Sequence, residues 1–353
     1  MTSTASSPEM IDWDLAVSLG GRLAGDGPTV TPAQARRAVG DLRNGAERAT
    51  DLVRAYTGLD GGRDTAPVLV VDRPGWVQAN ADAFRHVLGP VAGRLAQRKP
   101  PGRLSLAVGS KITGTEVGGL LGFLAGKVLG QFDPFHEPHG RLLLVAPNIV
   151  HTERELDVAP RDFRLWVCLH EETHRVQFTA VPWMRDHLFG LVERLSASLE
   201  DTSAIEDGLK RVTSALKQRG GGDQPGPGGA LSLLATPEQK AVMDDVTAVM
   251  SLLEGHADVV MDGVGPEVVP TVDTIRARFN ERRKGVGVLD RALRRFLGLD
   301  AKMAQYRDGA VFVRHVVDTV GMDGFNAVWS GPASLPTRDE IADPALWVAR
   351  VHG

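Results

Sequence analysis

The segment His170-Glu171-Glu172-Thr173-His174 places two histidines four residues apart, with a glutamate directly after the first. On a helix, residues four apart lie one above the other, so both imidazoles can reach one metal ion. This HExxH pattern is typical of zinc sites in which the glutamate acts as a base beside the metal. Glu171 lies about 100° around the helix from His170, which suits a base and not a third ligand. The pattern predicts a Zn²⁺ centre with His170 and His174 as ligands and Glu171 as the catalytic general base.

A helix from residue 160 or 161 to about residue 180 is predicted to carry this pattern. Pro160 is tolerated at a first helical position, Asp162 favours the positive end of the helix dipole, and Pro182 limits the helix at its far end. The two histidines then share an apolar face with Phe163, Trp166, Val167, Gln177 and Phe178. A lone buried histidine is more simply a core residue, but a pair flanked by a glutamate favours zinc.

The third zinc ligand is predicted to be Glu254. Zinc sites with two histidines commonly add a glutamate. Thr236-Pro237-Glu238-Gln239 has the features of a capping box, and it predicts a helix that runs to about Met261. A carboxylate on the methionine-rich face of that helix is costly unless it meets a positive charge, which zinc would supply. Asp258, one turn later, is predicted as a second-sphere residue that holds the Nδ1 proton of a ligand histidine.

His256 is the alternative metal ligand in this second segment. It lies about 160° around the helix from Glu254, so one helix cannot direct both side chains at the same ion. A hydrogen-bonded core histidine is the simpler interpretation of His256.

Several segments of the chain resemble one known family. They are residues 11–16 (IDWDLA), 70–76 (VVDRPGW), 170–174 (HEETH), 253–258 (LEGHAD), and 298–302 (GLDAK) to 321–326 (GMDGFN). Together they look like the actinobacterial zincin-like hydrolases, and the spacing Glu254-x-x-x-Asp258 after HExxH resembles the thermolysin-like branch, the gluzincins. The resemblance covers nearly the whole chain and implies a largely helical, zincin-like zinc metallopeptidase. Some family members carry a label that links them to deazaflavin cofactor biosynthesis.

The resemblance to gluzincins also suggests a candidate for stabilising the developing oxyanion. Gluzincins usually bring such a group from the C-terminal half, and Tyr306 is the tyrosine of this chain in that half. Tyr306 is therefore a second catalytic candidate beside Glu171, although a buried tyrosine that packs in a helix needs no catalytic role.

The fold class is predicted to be mainly α (α+β), with a small sheet among many helices. An N-terminal helical part at residues 1–140 would pack on a zincin-like catalytic part at residues 141–353, in one compact unit. Residues 219–229 are rich in glycine and proline and predict a flexible loop, either a linker or a lid over the cleft. Short strands are predicted at residues 68–72 and 142–146. The second is either the rim strand on which an extended peptide pairs or a buried strand with no open edge.

Glycines at positions 118, 122, 126 and 130 recur every four residues in the longest apolar stretch. On a helix they would form a groove for close packing of another backbone. The stretch holds Lys127 and is too short to span a membrane.

Composition indicates a globular protein. The chain has 353 residues, of which 42% are hydrophobic and 24% charged, with a net charge of −4, so nucleic acid is not predicted as its main partner. A secretory signal is not recognisable at the N-terminus, which predicts a cytoplasmic protein. The single cysteine, Cys168, is predicted to be a buried structural thiol.

The predicted function is zinc-dependent hydrolysis of peptide bonds by a metallopeptidase of the gluzincin type. Two other interpretations remain open: a zinc hydrolase of a small amide or ester with a narrow pocket, and a zinc-binding interaction or scaffold protein without turnover.

Overall fold

The computed structural model describes residues 9–61, 66–98, 102–199, 236–284 and 299–353. The predicted loop at residues 219–229 and the side chain of Tyr306 lie outside this description. The fold class is confirmed as mainly helical with a small sheet. The helices are α1 (Trp13–Leu23), α2 (Pro32–Thr57), α3 (Arg73–Arg98), α4 (Arg103–Ala125), α5 (Ala146–Glu155), α6 (Pro160–Ala180), α7 (Pro182–Leu199), α8 (Pro237–Gly263), α9 (Val272–Lys284), α10 (Leu299–Phe325), α11 (Arg338–Ala342) and α12 (Pro344–His352). The strands are β1 (Val68–Val71), β2 (Gly130–Asp133) and β3 (Arg141–Val145).

Contacts between Cα atoms divide the chain into two compact units. The first comprises residues 1–52, 61–175 and 269–272, and the second comprises residues 53–60, 176–268 and 273–353. The predicted division after residue 140 falls inside the first unit. Among the described residues, no helix combines the length and the apolarity needed to cross a membrane.

The sheet of the first unit has the strand order β1-β3-β2. β1 runs parallel to β3, whereas β2 runs antiparallel to it, with Gly130 opposite Leu144. All five residues of β3 are buried. Because β3 is paired on both sides, its interpretation as a rim strand is wrong, and its interpretation as a buried strand with no open edge is confirmed.

β2 was not predicted, because its four residues lack an alternating pattern. Strands this short are stabilised mainly by their cross-strand partners, which a local pattern does not reveal.

Glycines of α4 pack against α1, as the predicted groove requires. A Cβ at Gly118 would lie 2.7 Å from the carbonyl oxygen of Ala16, and a Cβ at Gly122 would lie 2.9 Å from that of Gly20. The prediction is wrong for the two later glycines: Gly126 caps the C-terminus of α4, and Gly130 begins β2. α4 ends at Ala125, so the four-residue spacing of the glycines continues beyond the end of the helix.

The second unit is built around the crossing of α8 and α10. α8 begins with the predicted capping box, in which the backbone N–H of Gln239 donates to Thr236 Oγ1 and the N–H of Thr236 donates to Gln239 Oε1. Gly255 and Gly309 meet at the crossing, where neither backbone leaves room for a Cβ. The apolar side chains of this core include Leu252, Leu253, Phe312, Val313, Val316, Phe325 and Trp347.

Candidate metal centre

The helix that carries HExxH has the predicted bounds. α6 begins at Pro160 and ends at Ala180, directly before α7. Asp162, in its first turn, accepts hydrogen bonds from the hydroxyl and the backbone N–H of Thr271, at 2.7 and 3.2 Å. A carboxylate at this end of a helix is also favoured by the helix dipole. The same residue that predicts the start of α6 therefore fixes it to a distant segment of the chain.

A buried arginine attaches the first half of α6 to two other helices. Arg164 donates from Nε and Nη2 to the two carboxylate oxygens of Glu153 on α5, at 2.9 and 2.5 Å. It also donates from Nη1 to Asp41 on α2, at 2.7 Å. Burial raises the pKa of Glu153, and the hydrogen bonds and charge of Arg164 oppose that rise. The paired geometry keeps the buried carboxylate compatible with its charged form.

A second buried pair fixes α6 within the HExxH segment itself. Arg175 donates from Nε to Glu172 at 2.7 Å, from Nη1 to the carbonyl oxygen of Ala66 at 3.0 Å, and from Nη2 to the Thr50 hydroxyl at 2.9 Å. The side chain of Glu172 is fully buried. This pair was not predicted from the sequence. Its spacing could have indicated it, because Glu172 and Arg175 are three residues apart and side chains at that spacing are neighbours on a helix.

Arg175→Met is expected to reduce the free energy of unfolding by about 3–5 kcal/mol, because it leaves the buried charge of Glu172 uncompensated. Chemical denaturation of the purified variant measures this loss. The double variant Glu172→Gln/Arg175→Met should recover much of it, since no buried charge remains. Arg338→Met removes an exposed ion pair with Asp244 and serves as the control, with an expected change of about 0–1 kcal/mol. Equal losses in the two arginine variants would contradict this role of Arg175.

The two histidines of HExxH direct the same ring nitrogen to one point. Nε2 of His170 and Nε2 of His174 are 3.2 Å apart, and the rings are perpendicular with centroids 4.7 Å apart. Two nitrogens that each lie 2.0–2.1 Å from a tetrahedral zinc ion are about 3.3 Å from each other. The pair therefore has the separation that a shared zinc ion requires.

Glu254 is the acidic member of a group that, with these histidines, could hold a metal ion. One ligating atom from each of His170, His174 and Glu254 can be chosen so that all three lie within 4.8 Å of one another. All three residues are half-buried, so the group is neither sealed in the core nor fully open to water. Nitrogen and carboxylate donors in this number match the donor set of zinc sites that keep one open position. The group could hold a metal ion.

Glu171 lies beside this group without belonging to it. It follows His170 on α6, and only 6% of its surface is exposed. Its carboxylate lies against β2, at Gly130. Glu171 is therefore both offset from the two histidines around α6, as predicted, and buried. The burial limits the positions that its carboxylate can adopt.

His256 lies in the apolar core of the second unit. It is fully buried, and its ring packs against Phe325 and Trp329, with centroids 5.2 and 5.4 Å away. Its Nδ1 is 2.9 Å from Nε2 of Gln177, which also donates to the carbonyl oxygen of Leu253. These contacts favour the core interpretation of His256 over the alternative that it binds the metal.

Asp258, the predicted second-sphere residue, pairs with two arginines. Its Oδ1 accepts a hydrogen bond from Arg276 on α9, and its Oδ2 accepts one from Arg314 on α10, each at 3.0 Å. Arg276 and Arg314 also pair with Asp262, one turn further along α8. Guanidinium groups from two neighbouring helices thus engage both carboxylate oxygens of Asp258, which favours a structural role over the second-sphere role predicted from the sequence.

Cys168 has the predicted structural environment. It is fully buried, its Sγ is 3.6 Å from the carbonyl oxygen of Leu42, and burial raises the pKa of its thiol. These contacts fit the predicted role of Cys168 as a buried structural thiol.

Comparisons with known proteins extend over nearly the whole chain. The family model of zincin-like metallopeptidases matches residues 11–348. A solved structure from Chloroflexus aurantiacus, of a proposed hydrolase with a novel fold, is similar with a TM-score of 0.70 and 31% sequence identity, over 96% of this chain and 98% of that chain. No curated protein matches the chain. The actinobacterial grouping and the link to deazaflavin biosynthesis stay predictions.

Proposed function

The chain belongs to the family of zincin-like metallopeptidases, and from this premise we propose that it is a zinc-dependent peptidase of the gluzincin type. The zinc ligands are His170, His174 and Glu254. The observation that carries this proposal is the 3.2 Å separation of the two histidine Nε2 atoms, together with a carboxylate within reach of both. These three residues would hold the zinc ion, which would supply a Lewis acid able to polarise a carbonyl and acidify water.

Glu171 performs the proton transfers in this proposal. Its place next to a ligand histidine, outside the ligand group, lets it take a proton from the attacking water. The protonated carboxyl group then delivers that proton to the leaving amine, which regenerates the carboxylate. Burial supports this role, because a carboxylate that is largely shielded from solvent is held near one position and exchanges its proton less readily with bulk water.

A peptide substrate is favoured by the position of β2. β2 pairs with β3 along one edge, and its first residues, Gly130 and Gln131, are half-buried. In the part of the chain that the structure describes, no strand pairs with the other edge of β2. An extended peptide bound there would add main-chain hydrogen bonds beside Glu171. One of the two interpretations of residues 142–146 gave this role to that strand, but it lies in the middle of the sheet.

Profiling of cleavage on a mixed peptide library tests the proposed function. We expect the zinc-loaded protein to cleave peptides, the chelator-treated protein to lose this activity, and added zinc to restore it. Hydrolysis of small amides or esters without cleavage of peptides would instead indicate a small-molecule hydrolase. Full zinc loading without turnover on any of these substrates would contradict an enzymatic function and favour a zinc-binding scaffold protein.

A further inference from the structure

The side chain of Glu171, the proposed base, occupies the space that a side chain at residue 130 would fill. A Cβ built at Gly130 would have three nearest neighbours, and all three are atoms of Glu171: Cγ and Cδ at 2.6 Å and Oε1 at 2.7 Å. Carbon atoms in favourable contact are about 3.5–4.0 Å apart. A methyl group at this position therefore overlaps with the Glu171 carboxylate as it lies in the structure.

The backbone conformation of Gly130 does not require glycine. Six described glycines have positive φ, and Gly130 is not among them. Glycine also weakens a strand, because it adds no packing and is conformationally free in the unfolded chain. The next residue faces away and packs normally: Gln131 accepts a hydrogen bond from Trp76 Nε1 at 2.8 Å and donates one to Asn80 at 3.0 Å. Space for Glu171 is thus the feature of this position that glycine alone provides.

The Glu171 carboxylate has few other positions available. Its backbone is part of α6, which Arg164 and Arg175 fix to neighbouring segments, and the residue is buried. The helix resists movement, whereas the end of a glutamate side chain rotates at lower cost. A methyl group at residue 130 would therefore displace the carboxylate and leave α6 in place.

We propose that Gly130 is a positioning residue for Glu171. Because glycine has no side chain, it leaves free the space in which the Glu171 carboxylate is held beside the metal ligands. This inference rests on the proposed function for its catalytic consequence. Its steric part concerns two residues of the apoprotein and is tested without any substrate.

A double-mutant cycle on thermal stability directly tests the steric contact between residue 130 and the Glu171 side chain. Gly130→Ala is expected to lower the Tm of the metal-free protein by about 4 °C or more, since a methyl group must fit against a buried carboxylate. In a Glu171→Ala background the same substitution should lower the Tm by at most about half as much, because the overlapping atoms are gone. If Gly130→Ala does not fold, Gly130→Ala/Glu171→Ala should fold. Gly119→Ala is the matched control: a Cβ there meets nothing within 4 Å, so the Tm should stay the same or rise.

Kinetics of the zinc-loaded protein test the catalytic consequence. Gly130→Ala should keep its zinc and its KM and lose about 10-fold or more in kcat, because small displacements of a catalytic group are costly. In a Glu171→Gln background it should cause no further loss. The inference would be overturned if Gly130→Ala changed the Tm equally in the wild-type and Glu171→Ala backgrounds, or kcat equally in the wild-type and Glu171→Gln backgrounds, or if it changed neither quantity. If the wild type hydrolyses nothing, the proposed function fails. The double-mutant cycle on Tm still decides whether Gly130 positions the Glu171 side chain.

Discussion

Glu171→Gln is expected to bind zinc as the wild type does and to hydrolyse any substrate about 10²–10⁴-fold more slowly. Glutamine keeps the size of the buried side chain, so the fold and the ligand group should remain intact. It cannot accept the proton of the attacking water or deliver it to the leaving amine. Zinc content by mass spectrometry, Tm and kcat, measured on the same preparation, separate loss of the base from loss of the metal or of the fold.

Glu193→Gln provides a matched control for this experiment. Glu193 is exposed on α7, so the same chemical change there should leave zinc content, Tm and kcat at wild-type values. Equal rates for Glu171→Gln and the wild type would refute Glu171 as the base. A loss of zinc in Glu171→Gln would instead make Glu171 part of the ligand group, contrary to its offset on the helix.

His170→Ala, His174→Ala and Glu254→Ala are each expected to lose most of the bound zinc. The wild type should carry about one zinc per chain, and removal of one of three protein ligands leaves too few donors to hold the ion. Metal analysis after dialysis against a weak chelator measures the loss. His256→Ala should keep its zinc and lose stability, because it removes a fully buried ring that packs against Phe325 and Trp329.

The comparison of Glu254 with His256 is the sharpest part of this series. The two residues are separated by one glycine on α8 and point to different sides of the helix. If Glu254→Ala keeps its zinc while His256→Ala loses it, the ligand assignment is wrong. Asp258→Asn should also keep its zinc, since the Asp258 carboxylate pairs with Arg276 and Arg314.

The features of the candidate site that are decided within a single helix could be predicted from the sequence. The bounds of α6 and the capping box of α8 follow from residues next to the helix ends, and these local signals were sufficient. The same phase argument separated Glu254 from His256, because residues two positions apart on a helix cannot share a face. Glu254 belongs with both histidines to a group that could hold a metal ion, and His256 is fully buried against Phe325 and Trp329.

Contacts between distant segments were not predictable in this way. Asp258 has the same helical phase whether it meets a histidine or an arginine, and only the packing of α9 and α10 decides that it meets Arg276 and Arg314. β2 is short and Gly130 follows three other glycines at the same spacing, so the local pattern extended a helix into a strand. The contact of Gly130 with Glu171 joins positions 41 residues apart and leaves no periodic signal in the sequence.

Anomalous diffraction at the zinc absorption edge, on crystals of the zinc-loaded protein, would locate the metal ion and its ligands. We expect one strong peak bonded to Nε2 of His170, Nε2 of His174 and a carboxylate oxygen of Glu254, at about 2.0–2.2 Å from each. The Glu171 carboxylate should lie beside the ion without binding it. A peak at His256, or zinc bound without Glu254, would show that the proposed ligand set is wrong.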